Sequence, residues 1–164
     1  MPLILTSPDI TEGGTIAERH AFSGFGCTGG NLSPALGWSG APEGTKSFAI
    51  TCYDPDAPTG SGWWHWTVFN IPIDESSLHE GASHPGKSGL PAGAIEGRTD
   101  FGVSGYGGPC PPEGDKPHRY IFTIYALKEE SLPLNADSPG AQVGYYLNFA
   151  TIEKASLTGY YGRH

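Results

Sequence analysis

Three stretches of the chain alternate in the period of two that is typical of a β-strand: residues 46–53, 64–71 and 120–127. In each stretch, apolar and aromatic residues occupy both faces of the alternation. A strand of this kind is covered on both sides, so the pattern predicts three central strands that form the core of a sheet. A shorter stretch of similar type, 157–161, predicts a terminal strand.

One later segment has the spacing of a helix. Ser138 is suited to be the N-cap and Pro139 to occupy the first helical position, and apolar residues follow along one helix face: Val143, Tyr146, Leu147 and Ala150. Residues 74–97, by contrast, are polar, rich in Gly and Pro and without a period, which predicts a long crossover loop. We expect a single domain, residues 1–164, that is mainly β.

The composition excludes some functions and favours a location. The net charge is −8 with only nine Lys and Arg, and no basic stripe is visible, so a nucleic-acid partner is disfavoured. The N-terminal residues have no basic start and no apolar run of signal length, and no segment approaches the length of a membrane span. We therefore expect a cytoplasmic protein without integral membrane contact.

The three cysteines are Cys27, Cys52 and Cys110. An odd, sparse count without metal-ligand spacing suits a reducing compartment better than a disulfide framework. Cys52 lies in an apolar run and is predicted to be in the core. Cys27 and Cys110 lie in Gly-rich loops, where either is a candidate redox-sensitive thiol.

Two runs carry the candidate chemistry. The first, residues 54–66, sets Asp54, Asp56 and His65 among prolines and tryptophans, where acids are desolvated and the backbone is stiff. We expect one of the two aspartates to line a pocket and the other to hold the loop. His65 opens a strand and we expect it to face the site, with Trp64 and Trp66 on the opposite face. The alternative is a core histidine bonded to a backbone carbonyl.

The second run is a Gly- and Pro-rich loop, residues 105–112, that leads into His118-Arg119-Tyr120. Residues of equal parity share one face of a strand, so His118 and Tyr120 are predicted to reach the same pocket. Arg119 then points to the other face, where an ion pair with a loop carboxylate is expected.

Together these runs resemble the phosphatidylethanolamine-binding protein family. The resemblance rests on Asp-Pro-Asp-Ala-Pro at 54–58, Trp-His-Trp-x-Val-x-Asn-Ile-Pro at 64–72, and Gly-Tyr-Gly-Gly-Pro-Cys-Pro-Pro at 105–112 followed by His118-Arg119-Tyr120. Residues 32–34, 44–49 and Trp38 also resemble the short bacterial and archaeal Raf-kinase-inhibitor-like members. The family likeness implies two packed, largely antiparallel sheets with one or two short peripheral helices.

The resemblance also implies a non-enzymatic binding protein, without cofactor or metal, whose pocket takes a phosphate-like or phosphoethanolamine-like group. Backbone amides of the 107–110 loop are expected to donate to the anion, and rigid prolines to stiffen the walls, with a cis bond a possibility before Pro58. The ligand-binding residues implied are Asp54, Asp56, Pro58, His65, Gly107, Gly108, Pro109, Cys110, His118 and Tyr120.

Two other functions stay open at this point. A metal-dependent hydrolase could use the Asp and His residues as ligands, although no His-x-x-x-His or His-x-Glu grouping occurs. A regulatory protein of kinase-inhibitor type could capture a phosphorylated partner through the same pocket. The resemblance further implies a homodimer, for which exposed Trp63 and Tyr160 are candidates.

Several other features are interpreted as carrying no function. Asp100-Phe101-Gly102 resembles a kinase magnesium motif, but the accompanying kinase motifs are missing, so the match is attributed to chance. The Gly-rich residues 24–29 are interpreted as a loop, because no helix follows them. The remaining histidines lie in polar segments and are expected at the solvated surface: His20, His79, His84 and His164.

Overall fold

The structure is a computed structural model that describes residues 2–84 and 87–163. Its strands are, in chain order, β1 (Ile4–Thr6), β2 (Ser23–Gly24), β3 (Cys27–Thr28), β4 (Leu36–Ser39), β5 (Ser47–Asp54), β6 (Trp63–Pro72), β7 (Ser77–Leu78), β8 (Ser83–His84), β9 (Lys87–Ser88), β10 (Ile95–Glu96), β11 (His118–Leu127) and β12 (Thr151–Tyr161). One α-helix, α1 (Gly140–Ala150), and one 3-10 turn, Glu18–His20, complete the described elements.

The largest sheet has five antiparallel strands in the order β10-β6-β5-β11-β12. The three stretches that alternate on both faces are its three middle strands, so the prediction of central strands is confirmed. The terminal strand is longer than predicted, because β12 starts directly after α1 and pairs with the whole of β11. A second antiparallel sheet has the order β1-β4-β7, and β2-β3 and β8-β9 each form a two-stranded antiparallel sheet.

The main hydrophobic core lies between the two larger sheets. From the five-stranded sheet it takes Ile50, Trp66 and Phe122, and from the three-stranded sheet it takes Leu5 and Trp38. A smaller cluster on the outer face of the large sheet is covered by α1 through Val143 and Leu147. The largely antiparallel arrangement of two packed sheets with a peripheral helix is thereby confirmed.

The boundaries of two segments differ from the sequence-based prediction. Helix α1 begins at Gly140, one residue later than predicted, with Pro139 as N-cap and no side-chain cap. Ser138 instead accepts a hydrogen bond from the amide of Asn135. The crossover segment 74–97 contains the short strands β7 to β10. Each has only two residues, so a search for periodicity does not detect them.

The prediction about cysteines was wrong for two of the three. Cys27 and Cys110 form a disulfide across a sequence separation of 83 residues, so neither is a free thiol. Cys52 is the free cysteine among the described residues, and its burial in the core is confirmed and raises the pKa of its thiol. The cysteines therefore give no support to the expected cytoplasmic location, which stays a prediction.

Candidate functional site

Three strands of the large sheet reach the same edge, which is formed by strand ends and not by a lateral strand. At this edge β5 ends and β6 and β11 begin. His118 is the first residue of β11, and its ring stacks with that of Tyr120 at a centroid distance of 6.5 Å. The ring of His65, on β6, stands edge-on to Tyr120 at 5.1 Å. The structure thus brings together His118 and Tyr120, which share strand parity, and adds His65 from another strand.

A register shift in β6 sets the direction of His65. Cys52 of β5 pairs with Trp66 and Tyr53 pairs with Trp64, so His65 is the extra residue of a bulge, a feature that re-aims a side chain. Trp66 enters the main core, whereas Trp64 packs near α1, where a Cβ on Gly140 would lie only 2.2 Å from the indole. The expectation that both tryptophans share one face was therefore wrong, because it assumed an unbroken strand.

These side chains line a pocket of about 220 Å³ with mainly apolar walls. Asp54, His65, His118 and Tyr120 come from the strands at this edge, whereas Phe25, Phe101 and the prolines come from the surrounding loops. The lining residues are Phe25, Asp54, Ala57, Pro58, Thr59, Trp63, His65, Phe101, Cys110, Pro111, Pro112, His118 and Tyr120. Every peptide bond among the described residues is trans, so a cis bond before Pro58 is not observed.

His118 lies between two carboxylates. Its Nδ1 is 2.7 Å from Oδ2 of Asp54, and its Nε2 is 2.9 Å from Oδ2 of Asp115. Burial alone would lower the pKa of His118, but the hydrogen bonds with the two aspartates outweigh burial and raise that pKa. Burial raises the pKa of Asp54, and its bond with His118 opposes that effect. The arrangement favours an imidazolium that donates from both nitrogens.

His65 has the opposite protonation. Its Nδ1 lies 2.7 Å from the carbonyl oxygen of Gly107, which can only accept, so Nδ1 carries the proton. Burial lowers the pKa of His65 to about 4, against the opposing effect of the backbone groups of Gly107 and Gly108. At neutral pH the ring is uncharged, and Nε2 keeps a lone pair that can accept a hydrogen bond from a ligand.

Two buried donors, on residues that line the pocket, lack partners among the described residues. The hydroxyl of Tyr120 and the indole Nε1 of Trp63 have no hydrogen-bond partner there, although each is shielded from solvent. Burial raises the pKa of Tyr120, so the phenol stays protonated at any physiological pH. A buried polar group without a partner is costly, and in a pocket it indicates a position for a ligand or water.

Asp56 does not line the pocket. Its carboxylate accepts hydrogen bonds from the amide, Nε and one terminal nitrogen of Arg119, at 2.8, 3.0 and 2.9 Å. These bonds lower the pKa of Asp56 to about 2. The predicted ion pair of Arg119 with a loop carboxylate is confirmed, and Asp56 holds the loop while Asp54 faces the pocket.

The Gly-rich loop supports the pocket from behind. The amide of Gly107 donates to the carbonyl of His65, and that of Gly108 donates to Oδ1 of Asn31. Contrary to the expectation, neither amide is directed at a pocket ligand. A Cβ on Gly108 would lie 2.0 Å from the carbonyl oxygen of His20. The glycine is therefore required for close approach of two backbone segments. The carbonyl of Pro109 likewise accepts from the amide of Phe22.

The sequence analysis missed the aromatic wall of the pocket, which is formed by Phe25 and Phe101. Phe101, from the segment attributed to chance, packs edge-on to His65 and stacks on Phe22, at centroid distances of 5.4 and 4.1 Å. Phe25 completes this wall, and the disulfide from Cys27 to Cys110 ties its hairpin to the pocket loop. The available signal was the pair of cysteines, each in a Gly-rich loop.

Trp63 is half-buried in the pocket wall rather than exposed as expected, whereas Tyr160 is exposed. The homodimer stays a prediction. Of the histidines expected at the surface, His79 is exposed but His20 is fully buried. His164 and the side chain of His84 lie outside the described part of the protein.

The pocket residues do not group as metal ligands. Within residues 2–84 and 87–163, the cluster of His, Asp, Glu or Cys side chains with ligand atoms close enough to share an ion is Asp9, His20 and Glu80. None of the three lines the pocket. The alternative of a hydrolase that uses the pocket's Asp and His as metal ligands therefore gains no support.

Two packed antiparallel sheets with a small, apolar-walled pocket at one sheet edge define a ligand-binding β protein. The family model described as phosphatidylethanolamine-binding protein matches residues 6–162, and the chain belongs to this family. The Escherichia coli protein YbcL is 57% identical over 157 residues, which cover 96% of this chain and 86% of YbcL. The E. coli protein YbhB is 48% identical over 94% of this chain and 96% of its own length.

The solved structures agree with this assignment. The crystal structure of E. coli YbcL, described as a new member of the mammalian PEBP family, superposes with a TM-score of 0.98 at 54% identity, over 100% of both chains. A carboxypeptidase Y inhibitor, solved with its cognate proteinase, has a TM-score of 0.59 at 19% identity, over 99% of this chain and 85% of its own. At that identity the likeness extends to the fold alone. In the described part of the chain, no helix has the length and apolar character needed to span a membrane.

Proposed function

We propose that the pocket binds, without turnover, a small ligand with a phosphate-like group. Phosphoethanolamine is an example of such a ligand. The observation that carries the proposal is the buried, unpartnered hydroxyl of Tyr120 beside a neutral His65. The first can donate and the second can accept, within a pocket whose walls are mainly apolar.

The protonation states restrict the ligand. Tyr120 and Trp63 offer donors to an anionic oxygen, whereas Nε2 of His65 and the Asp54 carboxylate prefer a ligand that itself donates. A phosphate monoester in its monoanionic form has oxygens that accept hydrogen bonds and one hydroxyl that donates. That hydroxyl loses its proton with a pKa of about 6. Phosphoethanolamine adds an ammonium group, for which the carboxylate of Asp54, which lines the pocket, is a suitable partner.

The size of the pocket favours a headgroup over a whole lipid. Its volume of about 220 Å³ is below the range of about 300–1,000 Å³ that is typical of pockets for drug-sized molecules. The aromatic wall and the prolines 58, 111 and 112 then limit the ordering that binding requires.

The groups that line the pocket favour binding without turnover. Among the described lining residues none is a serine or lysine, Cys110 is held in a disulfide, and the hydroxyl of Thr59 donates to the carbonyl of Gly62. Asp54 and His118 are bonded to one another, which orients both for recognition rather than leaving a free nucleophile.

The experiment is calorimetric titration of phosphoethanolamine and of inorganic phosphate into wild type and Tyr120→Phe. The variant removes only a hydroxyl that has no described protein partner, so the fold should be unaffected while affinity falls about tenfold. Tyr125→Phe, on the same strand, is the matched control because its hydroxyl contacts Thr51 on the opposite face. Equal affinity in wild type and Tyr120→Phe would contradict the proposal.

A kinase-inhibitor-like role stays a prediction that rests on resemblance. A phosphorylated serine offers the same oxygens to Tyr120 and Trp63 as a free phosphate monoester does. Titration with a phosphoserine peptide, alongside the unphosphorylated peptide, would test it. Binding of both peptides with equal affinity, or of neither, would count against this role.

A further inference from the structure

A second cluster of titratable side chains lies outside the pocket. It contains Asp9, His20 and Glu80, whose candidate ligand atoms all lie within 4.8 Å of one another. His20 is fully buried at the end of the 3-10 turn, whereas Glu80 reaches solvent. The cluster is therefore open on one side and closed on the other.

The orientation of His20 is the most informative feature of the cluster. Its Nδ1 lies 2.8 Å from the carbonyl oxygen of Leu32, so this nitrogen carries a proton and donates it to the backbone. Its Nε2 is buried and has no hydrogen-bond partner among the described residues. Histidine ligands of metals are typically held in this way, with one ring N–H bonded to a carbonyl or carboxylate and the other nitrogen facing the ion.

The distances suit a small transition-metal ion. Nε2 of His20 and Oε2 of Glu80 are 3.6 Å apart. Two ligands of a tetrahedral zinc ion, with bonds of about 2.1 Å, are about 3.4 Å apart. A carboxylate oxygen of Asp9 lies within 4.8 Å of both atoms and is the third candidate ligand, and the exposed side of Glu80 leaves space for water as the fourth.

Arg19 competes for the same carboxylates. Its Nε lies 2.7 Å from Oε2 of Glu80, and one terminal nitrogen lies 3.0 Å from Oδ1 of Asp9. The Arg19 side chain is half exposed and can move away into solvent. It neutralises the two carboxylates but leaves Nε2 of His20 without a donor.

We propose that Asp9, His20 and Glu80 form a binding site for a divalent transition-metal ion, represented by Zn²⁺, which displaces Arg19. The imidazole ligand selects Zn²⁺ over Mg²⁺ and Ca²⁺, which prefer oxygen ligands alone. The ion ties the turn that contains His20 to residues 9 and 80. The carbonyl of His20 accepts a hydrogen bond from the hydroxyl of Tyr106. The next residue, Gly107, is bonded to His65, so this turn also adjoins the back of the ligand pocket.

The test is calorimetric titration of Zn²⁺, and of Mg²⁺ as a comparison, in a buffer without phosphate. Wild type is expected to bind one Zn²⁺ saturably and no Mg²⁺. Arg19→Gln removes the competing cation and should bind Zn²⁺ about threefold more tightly or better. Glu80→Gln removes a ligand and should weaken binding at least tenfold, whereas Glu43→Gln, at an exposed position elsewhere, should leave it unchanged.

Failure of the proposal is readily recognised. Absence of saturable Zn²⁺ binding in both wild type and Arg19→Gln would overturn it, as would Zn²⁺ binding that Glu80→Gln leaves unchanged. Zn²⁺ binding that His118→Ala removes would place the ion in the ligand pocket and would also overturn the site at His20. The ring resonances of His20 in NMR spectra provide an independent measure, because they must shift when Zn²⁺ is added.

Discussion

Replacing Cys27 and Cys110 together by serine should lower the free energy of unfolding by about 4.5 kcal/mol. The disulfide closes a sequence separation of 83 residues, and the loss of chain entropy in the unfolded state on closing a loop of that length gives about 4.5 kcal/mol at 25 °C. A domain of ordinary stability, about 5–15 kcal/mol, would then lose a large part of it.

The same substitution should reach the pocket. Cys110 lines it, and Cys27 is the first residue of β3, in the hairpin whose turn contains Phe25 of the aromatic wall. Without the covalent tie, this wall has to be ordered when the ligand binds, so affinity for phosphoethanolamine should fall together with stability. The variant is therefore expected to bind more weakly even where it is fully folded.

The assay is urea denaturation of oxidised wild type and of the double variant, followed by tryptophan fluorescence. Reducing agent should lower the stability of wild type towards that of the variant and should leave the variant itself unchanged. A difference of less than about 1 kcal/mol between the oxidised proteins would refute the reasoning, because it would mean that the disulfide constrains little of the unfolded chain.

Three further predictions concern the pocket. His118→Ala should abolish measurable phosphoethanolamine binding, because it leaves the buried Asp54 without its partner; unchanged affinity in calorimetry would contradict this role. Asp115→Asn should bind phosphate several-fold more tightly, because it removes a carboxylate 2.9 Å from Nε2 of His118 that competes with an anion; weaker binding would show that Asp115 instead orients the ring. The buried His65 has a pKa lowered to about 4 from 6.5, so the unfolded state binds the proton first and stability falls as pH drops from 6.5 to 4. In urea titrations His65 should contribute a loss of roughly 3 kcal/mol over that range, measured as the difference between wild type and His65→Gln; equal slopes in the two proteins would contradict a neutral, buried His65.

Much of the fold was predictable from local pattern. The middle strands alternate over eight or more residues, and burial on both faces leaves a signal that a single sequence carries. The strand pairs β2-β3 and β8-β9 have strands of two residues each, which are too short for any period. Their positions depend on contacts with distant loops, which the sequence of the segment alone does not contain.

The site was predictable to the extent that it follows strand parity. His118 and Tyr120 share a face because β11 is regular, whereas the bulge at His65 inverts the expected direction of Trp66. The direction of the Gly107 and Gly108 amides depends on Asn31 and His65, which come from other parts of the chain. A Gly-rich loop indicates close backbone approach, but the partner that it approaches is a tertiary property.

The burial of His20 illustrates the same limit. The two residues before it, Glu18 and Arg19, are charged, which favours a surface position, yet the turn is folded under the 107–110 loop and the side chain is fully buried. The disulfide has the same origin, since Cys27 and Cys110 meet only when the hairpin that carries Phe25 packs on that loop.

The measurement that tests the central claim most directly is an NMR titration of the histidine rings with phosphoethanolamine. The proposal predicts that the Nε2 resonance of His65 shifts saturably as it accepts a hydrogen bond, that the His118 ring shifts with it, and that Tyr120→Phe weakens both responses. Resonances of His65 and His118 that stay unchanged up to millimolar ligand would contradict a phosphate-type binding pocket at this edge of the sheet.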